Sequence, residues 1–259
     1  GLLAGGAALA AVDRFPGAAA AYAVVLDGEL LWARGLDTPR APASLSKLLG
    51  ALVLLEGDWQ PQRTVTVAAA AARARGSRLG LRAGERLRAA DLLTAMLVRS
   101  ANDACLALAL DAAGSAAAFV AKMNRRAHAL GMRHSHFADP CGLDAPSQRT
   151  TVRDLLRLAA AALREPQIAA RVALTEAVVQ SESGRRFTFA NNNLLVGREL
   201  GVIGLKSGFT SHAGKCLIAV AVRGAHRVWV VMLGGDNRWW VAAGLLDAAF
   251  AEAGGGLPP

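Results

Sequence analysis

Strand-like segments at both ends of the chain enclose a long helical stretch, and this order restricts the fold more than any other feature. Apolar runs at 22–27 and 30–34 predict a hairpin that turns at Gly28. Three more strands and a closing helix are predicted in the last third, at 202–210, 214–223, 226–233 and 240–253. Strands from both ends can therefore join in one antiparallel sheet.

The middle of the chain is predominantly helical by pattern. Apolar periodicity and capping signals predict helices at 44–57, 89–98, 103–113, 115–130 and from 150 or 151 onward. Helices around an antiparallel sheet make an α+β fold. No internal repeat or long linker divides the chain. We therefore expect one large domain at 21–253, preceded by a leader at 1–20 and followed by a tail at 254–259.

The amino-acid composition excludes some functional classes of protein. Hydrophobic residues make up 53% and charged residues 19%, which excludes a disordered chain. The net charge of +9 favours anionic partners. The basic residues are scattered, however, and aromatic residues are only 5%, whereas nucleic-acid platforms cluster charge and offer stacking rings. We therefore expect no nucleic-acid partner.

The N-terminal run Gly1–Val12 is apolar but too short to cross a bilayer, which needs about 20 residues. It resembles the end of a signal-peptide apolar region, with an unstructured alanine-rich leader as the alternative. No other segment is long enough to span, and no amphipathic anchor is visible near the C-terminus. These features predict export and no transmembrane segment in the mature chain.

Cysteine and histidine spacing gives no sign of a metal site. Cys105, Cys141 and Cys216 are far apart, so one bridge with a free thiol and three separate buried thiols both remain open. His134 and His136 lack a nearby acidic or third ligand. We expect no metal and no organic cofactor.

Ser44 and Lys47 are three residues apart at the start of a predicted helix, so both side chains share one helix face. An unprotonated lysine can act as the base for a serine nucleophile. A capping serine with a solvated lysine is the simpler interpretation. Against it, Lys47 lies in an apolar helix, and only four of the 29 basic residues are lysines.

Two further short motifs contain hydroxyl, amide and amine side chains that could act in the same site. Ser100 and Asn102 flank Ala101 between two predicted helices, where a hydroxyl can relay a proton and an amide can bind a peptide group. Lys206 and Ser207 precede Gly208 on a predicted strand, which suits binding of a carboxylate beside a close backbone approach. Each motif alone is weak, and helix capping or solvent exposure would explain it equally well.

Together and in this order, the three motifs resemble the Ser-x-x-Lys, Ser-Asp-Asn and Lys-Thr-Gly set of class A β-lactamases and penicillin-binding proteins. Ala101 replaces Asp and Ser207 replaces Thr. The sequence around these motifs resembles the low-molecular-mass serine D-Ala-D-Ala peptidases over roughly residues 20–250. The segments that carry this resemblance are 42–47 (PASLSK), 80–85 (GLRAGE), 92–104 (LLTAMLVRSANDA), 131–144 (GMRHSHFADPCGLD) and 204–217 (GLKSGFTSHAGKCL).

This resemblance implies a β-lactamase/transpeptidase-like fold and a role for each motif residue. Ser44 would be the nucleophile, Lys47 its base and Ser100 a proton relay. The substrate amide would bind Asn102, and the terminal carboxylate would bind the Lys206-Ser207-Gly208 strand. The oxyanion hole would consist of the backbone N–H groups of Ser44 and Phe209. Implied partners are peptidoglycan stem peptides and β-lactam inhibitors, in the periplasm or another extracytoplasmic space.

The sequence also departs from the family, and it leaves alternatives open. Cys141 stands where the family often has threonine, with no evident consequence. A class A β-lactamase would need a Glu-x-x-x-Asn loop, and Glu165 is followed four residues later by Ala169. Carboxypeptidase and endopeptidase action are both compatible with the motifs. A non-catalytic wall-binding protein on the same fold is the third alternative.

Overall fold

The computed structural model describes residues 12–254, and its strands and helices follow the predicted order. The strands are β1 (Ala21–Leu26), β2 (Glu29–Arg34), β3 (Thr64–Thr66), β4 (Arg86–Arg88), β5 (Glu176–Gln180), β6 (Arg186–Ala190), β7 (Val202–Thr210), β8 (Gly214–Arg223) and β9 (His226–Gly235). The helices are α1 (Ser46–Leu55), α2 (Ala69–Ala72), α3 (Ala89–Thr94), α4 (Asn102–Ala113), α5 (Ala116–Ala129), α6 (Val152–Arg164), α7 (Pro166–Val172) and α8 (Arg238–Glu252).

The main sheet is antiparallel and joins strands from both ends of the chain. Its order is β2-β1-β9-β8-β7, which leaves β7 at an edge. Side chains of β1 alternate between two cores, because successive residues of a strand face opposite sides. Ala23 and Val25 face the large core that contains α1, α4 and α6, while Tyr22 and Val24 face α8. The α+β prediction is confirmed.

The predicted hairpin, the three C-terminal strands and the closing helix all form within two residues of their expected bounds. The pairs β3–β4 and β5–β6 form two separate small sheets that the sequence analysis did not predict. These strands are only three to five residues long. Each lies in a polar region where periodicity gives little signal.

Part of the predicted leader packs against the sheet. Val12 forms a parallel bridge with Trp32, and the Phe15 ring stacks edge-on against Trp32 at 5.0 Å. The hydroxyl of Tyr22 donates a hydrogen bond of 3.0 Å to Asp13. Residues 1–11, where most of the signal-peptide prediction falls, lie outside the described residues, as does most of the predicted tail. The leader and domain boundaries stay predictions.

Within residues 12–254, no single helix has both the length and the apolar composition needed to cross a membrane. Only α4 and α5 taken together meet that criterion, and they are bent by 86° relative to each other.

Candidate active site

Ser44 lies in a short 3-10 turn, Ala43–Leu45, that leads directly into α1. Ala43 has a positive φ of 49°, an uncommon conformation for a residue with a side chain. Such backbone geometry persists where the surroundings hold it, and it is concentrated at functional sites. Gly142 supplies that support, because its Cα packs so closely on the Ala43 carbonyl that no Cβ would fit.

Lys47 is fully buried in the first turn of α1, directly beneath Ser44. Its Nζ is 2.9 Å from the Oγ of Ser44, 2.7 Å from Oδ1 of Asn102 and 2.5 Å from the carbonyl oxygen of Cys141. Burial lowers the pKa of Lys47 from 10.5 to about 7, against a smaller opposing effect of the Asp139 charge. A substantial fraction of Lys47 is therefore unprotonated at neutral pH, and its lone pair can take the proton of Ser44.

Ser100 and Asn102 follow a π-helical turn at Ala95–Arg99. Ser100 has a φ of 62°, which ends that turn and turns the chain into α4. Ala101 occupies the cap position of α4, so Asn102 does not serve as the cap. Instead its Oδ1 accepts from Lys47, and its Nδ2 donates a 2.6 Å hydrogen bond to the carbonyl of Arg75. An amide nitrogen has two protons, so one remains for a substrate.

The edge strand β7 brings Ser207 and Gly208 against the start of α1. A Cβ on Gly208 would lie 2.8 Å from the backbone nitrogen of Ser44, closer than real Cβ contacts allow. The absence of a side chain therefore permits the approach of the two segments. It also places β7, which carries Phe209, beside the Ser44 N–H.

Lys206 lies on the face of β7 that it shares with Gly208, the face that packs on the start of α1. Its side chain is buried and donates a 2.9 Å hydrogen bond to the carbonyl of Ser207, and it does not line the cleft. Burial, followed by the charges of Lys47 and Arg238, lowers its pKa well below the usual range. The cation that lines the cleft is Arg238, from the first position of α8, and its Nη1 donates to the carbonyl of Gly208.

These groups open onto one cleft of about 420 Å³. The predicted site residues that line it are Ser44, Ser100, Asn102, Ser207, Gly208 and Phe209. Lys47 and Lys206 are both buried beneath its surface. The three motifs, which extend from Ser44 to Gly208 in sequence, thus form one site.

Sequence reasoning missed three supporting features. Arg238 stands in a predicted loop-to-helix junction with no motif around it. Asp103 is buried and accepts hydrogen bonds from the backbone nitrogens of residues 79–81, which fixes the loop opposite β7. Cys105 and Cys141 form a disulfide, while Cys216 is a buried free thiol. Of the two alternatives for the cysteines, the structure has one bridge and a free thiol.

In the part of the chain that the structure describes, no group of three or more histidine, cysteine or acidic side chains is arranged to hold a metal ion. The cleft is lined by serine hydroxyls, asparagine amides and one guanidinium, with the amine of Lys47 buried beneath Ser44.

The fold and this set of groups define the class of penicillin-binding proteins. An evolved penicillin-binding protein homologue from Mycobacterium tuberculosis superposes with a TM-score of 0.86 at 32% identity, covering 94% of this chain and 95% of that one. A family model for D-alanyl-D-alanine carboxypeptidases, peptidase family S11, matches residues 11–237. The chain belongs to this family, which confirms the resemblance seen in the sequence.

Two curated relatives show how much of a family member the chain represents. The D-alanyl-D-alanine carboxypeptidase DacB2 of M. tuberculosis is 34% identical over 232 residues, which are 86% of this chain and 79% of the relative. DacF of Bacillus subtilis, also a D-alanyl-D-alanine carboxypeptidase, is 29% identical over 87% of this chain. This chain spans only 60% of the length of DacF.

Proposed function

We propose that this protein is a serine-type D-Ala-D-Ala carboxypeptidase that cleaves peptidoglycan stem peptides through an acyl-enzyme. The observation that carries this proposal is the 2.9 Å contact between a half-exposed serine hydroxyl, Ser44, and the buried amine of Lys47. The lowered pKa of Lys47, about 7, makes that amine a base at the pH of living cells.

In the acylation step, Lys47 Nζ takes the proton of Ser44 Oγ as the oxygen attacks the carbonyl before the terminal D-Ala. The negative charge that develops on the carbonyl oxygen is stabilised by the backbone N–H groups of Ser44 and Phe209. Ser100 relays a proton to the leaving amine as the C–N bond breaks, and free D-Ala departs. Water then attacks the ester, regenerates the Ser44 hydroxyl and releases the shortened peptide.

Substrate orientation comes from groups on opposite walls of the cleft. The free N–H of Asn102 binds the carbonyl of the peptide upstream of the scissile bond. Arg238 binds the terminal carboxylate, because a guanidinium forms two parallel hydrogen bonds with a carboxylate. Ser207 presents its hydroxyl to the same carboxylate. Lys206 is buried beneath the cleft and fixes the Ser207 carbonyl with a hydrogen bond.

The lining of the cleft argues against a class A β-lactamase. Such an enzyme needs a carboxylate beside the acyl-enzyme to activate water. None of the described residues that line the cleft is acidic, and Glu165 instead accepts a hydrogen bond from the backbone nitrogen of Gln167 at the start of α7. Endopeptidase action on cross-links uses the same acylation chemistry and differs only in the leaving group. A non-catalytic wall-binding protein would not need a lysine with a lowered pKa beside Ser44.

The substrate also implies the compartment, because peptidoglycan is assembled and trimmed outside the cytoplasm. We propose that the protein acts in the periplasm or an equivalent extracytoplasmic space, exported by an N-terminal signal peptide.

Intact-protein mass spectrometry after brief exposure to benzylpenicillin tests the proposal. We expect one adduct, mapped to Ser44, and none in a Ser44→Ala variant that folds normally. Release of D-Ala from a D-Ala-D-Ala peptide should disappear in the same variant. Rapid hydrolysis of the drug without an adduct would indicate a β-lactamase. No adduct and no hydrolysis would indicate a binding protein.

A further inference from the structure

A second cavity, a groove of about 490 Å³, lies beside the cleft and has no role in the chemistry above. One wall is the outer edge of β6, Arg186–Ala190, and the other consists of Arg78, Leu79 and Arg99. Asp103 holds the second wall, because it binds the backbone nitrogens of Leu79 and its two following neighbours. The groove is thus built on the same helix, α4, that carries Asn102.

The groove is positively charged. Arg78, Arg99 and Arg186 are exposed, and no acidic residue is among the lining residues. Their neighbours Arg86 and Arg185 each pair with a glutamate. By contrast, no described carboxylate forms a salt bridge with the three groove arginines; Arg99 donates only to the neutral amide of Asn192. Their positive charge remains available to an anionic ligand.

The β6 wall offers unpaired backbone groups. β5 and β6 form a two-stranded antiparallel sheet in which Asn191 donates to Thr175 and Ser181 donates to Arg185. Hydrogen-bonded and non-hydrogen-bonded pairs alternate along such a ladder. The backbone N–H and C=O groups of Arg186, Thr188 and Ala190 therefore point away from β5, toward the groove. An extended peptide can pair with an edge of this kind.

The groove lies next to the cleft. Ser77 and Ser100 line the cleft, and their sequence neighbours Arg78 and Arg99 line the groove. Asn192, two residues beyond β6, also lines the cleft and accepts the hydrogen bond from Arg99. Consecutive Cα atoms are only about 3.8 Å apart, so the two cavities are separated by little more than the width of one backbone segment.

We propose that this groove binds the upstream part of the same wall peptide, as an extended strand on β6 whose carboxylates contact the groove arginines. The inference rests on the proposed function, which places the peptide terminus at Arg238, on the β7 and α8 side of the cleft. The rest of the peptide leaves beside Ser77 and Ser100 and enters the groove. Five residues of β6 offer about 16 Å of edge, enough for a peptide of four or five residues.

The chemistry predicts a preference for acidic upstream residues. A stem peptide with a free carboxylate upstream of D-Ala-D-Ala complements the three arginines, whereas the same peptide with that carboxylate amidated does not. Exposed ion pairs contribute modestly, so we expect about a fivefold preference for the acid form in kcat/KM, mainly through KM. High salt should reduce it, because the Debye length falls to about 3 Å at 1 M.

The test measures D-Ala release from two synthetic peptides that differ only at this position, one with an N-terminal γ-D-glutamyl residue and one with its isoglutaminyl amide. The acid-to-amide ratio of kcat/KM is compared in the native protein and in the double variant Arg78→Gln/Arg186→Gln. We expect a ratio of about five in the native protein and about one in the variant. Taking the ratio within each protein removes any general effect of the substitutions on activity.

Arg227→Gln is the matched control, because it removes one exposed arginine on β9, far along the sheet from Gly208 and Cys216. It should keep the native ratio. A native ratio near one, or a ratio retained in the double variant, would overturn the groove assignment while benzylpenicillin still acylates Ser44. Absence of both acylation and D-Ala release would instead remove the proposed function, and the groove assignment with it.

Discussion

The carbonyl oxygen of Cys141 accepts a 2.5 Å hydrogen bond from Nζ of Lys47, so a disulfide-bonded residue directly holds the proposed base. The other end of the bridge, Cys105, lies in α4 one turn after Asn102, the second partner of Nζ. The disulfide therefore ties together the two segments that position Lys47. Cys141 stands where the family often has threonine, and in this structure it forms the disulfide with Cys105.

Loss of the disulfide should reduce both stability and acylation. Closing a separation of 36 residues stabilises the folded state by about 3–4 kcal/mol in the chain-entropy model. A Cys105→Ala/Cys141→Ala variant should unfold at lower denaturant concentration and acylate more slowly with benzylpenicillin, because Lys47 loses a fixed partner. Chemical denaturation and the second-order acylation rate measure the two effects.

Cys216→Ala provides the control, since Cys216 is buried and outside the bridge. Dithiothreitol should slow acylation in the native protein and in Cys216→Ala alike, and should not affect the double variant. Equal acylation with and without reductant in the native protein, with the bridge shown to be open, would mean that the disulfide does not position Lys47.

The pH dependence of acylation should follow the free amine of Lys47. Burial lowers its pKa to about 7, so the base form is lost as pH falls below that value and is nearly complete above it. The acylation rate should rise about tenfold per unit at acid pH and level off above about pH 7. Stopped-flow or quenched acylation by benzylpenicillin between about pH 5 and 9 measures this profile.

Lys47→Met should abolish acylation throughout that range, because methionine fills the space without a base. The variant should also be more stable than the native protein near pH 7, since it avoids burial of an amine that is protonated in the unfolded chain. That difference should shrink as pH rises from about 7 toward 10.5, the range over which the unfolded state alone holds the proton. A profile with its midpoint near 10 would contradict the lowered pKa of Lys47.

The sequence predicted the main sheet because its strands are long apolar runs between turn residues. The two small sheets escaped prediction, since β3 and β6 have only three and five residues and alternate with exposed polar positions. Strands this short give too few alternating positions for periodicity to be recognised. Of these four short strands, β6 is the one that forms a wall of the proposed peptide groove.

The candidate site was predictable where a residue type is itself informative, as with Lys47 in a chain rich in arginine. Arg238 could not be recognised for the opposite reason, since one arginine among many carries no signal until its position is known. Lys206 illustrates a third limit. Its place on the edge strand was predicted, but its complete burial depends on how closely β7 packs on the start of α1.

Arg238 should determine recognition of the terminal carboxylate. Arg238→Gln should raise KM for D-Ala-D-Ala peptides by about tenfold, the usual effect of losing a charge-assisted pair of hydrogen bonds. Peptides whose terminal carboxylate is amidated should be cleaved equally poorly by both proteins. Steady-state kinetics on the acid and amide peptides check this. An equal loss for both peptides would show that Arg238 acts only by holding the Gly208 carbonyl.

Gly208 should not tolerate a side chain. The methyl group of Gly208→Ala would lie 2.8 Å from the Ser44 nitrogen and 3.0 Å from Cβ of Ala43, so β7 must shift away from α1. That shift moves the Phe209 N–H away from the Ser44 N–H. Loss of one oxyanion donor costs on the order of a hundredfold in rate, and we expect a loss of this size in acylation by benzylpenicillin.

Gly244→Ala is the control, because a Cβ there meets nothing within 4 Å and the residue lies inside helix α8. It should leave acylation unchanged and raise stability by about 0.5–1 kcal/mol. Native acylation in a folded Gly208→Ala protein would mean that the approach of β7 to Ser44 is not needed for the chemistry.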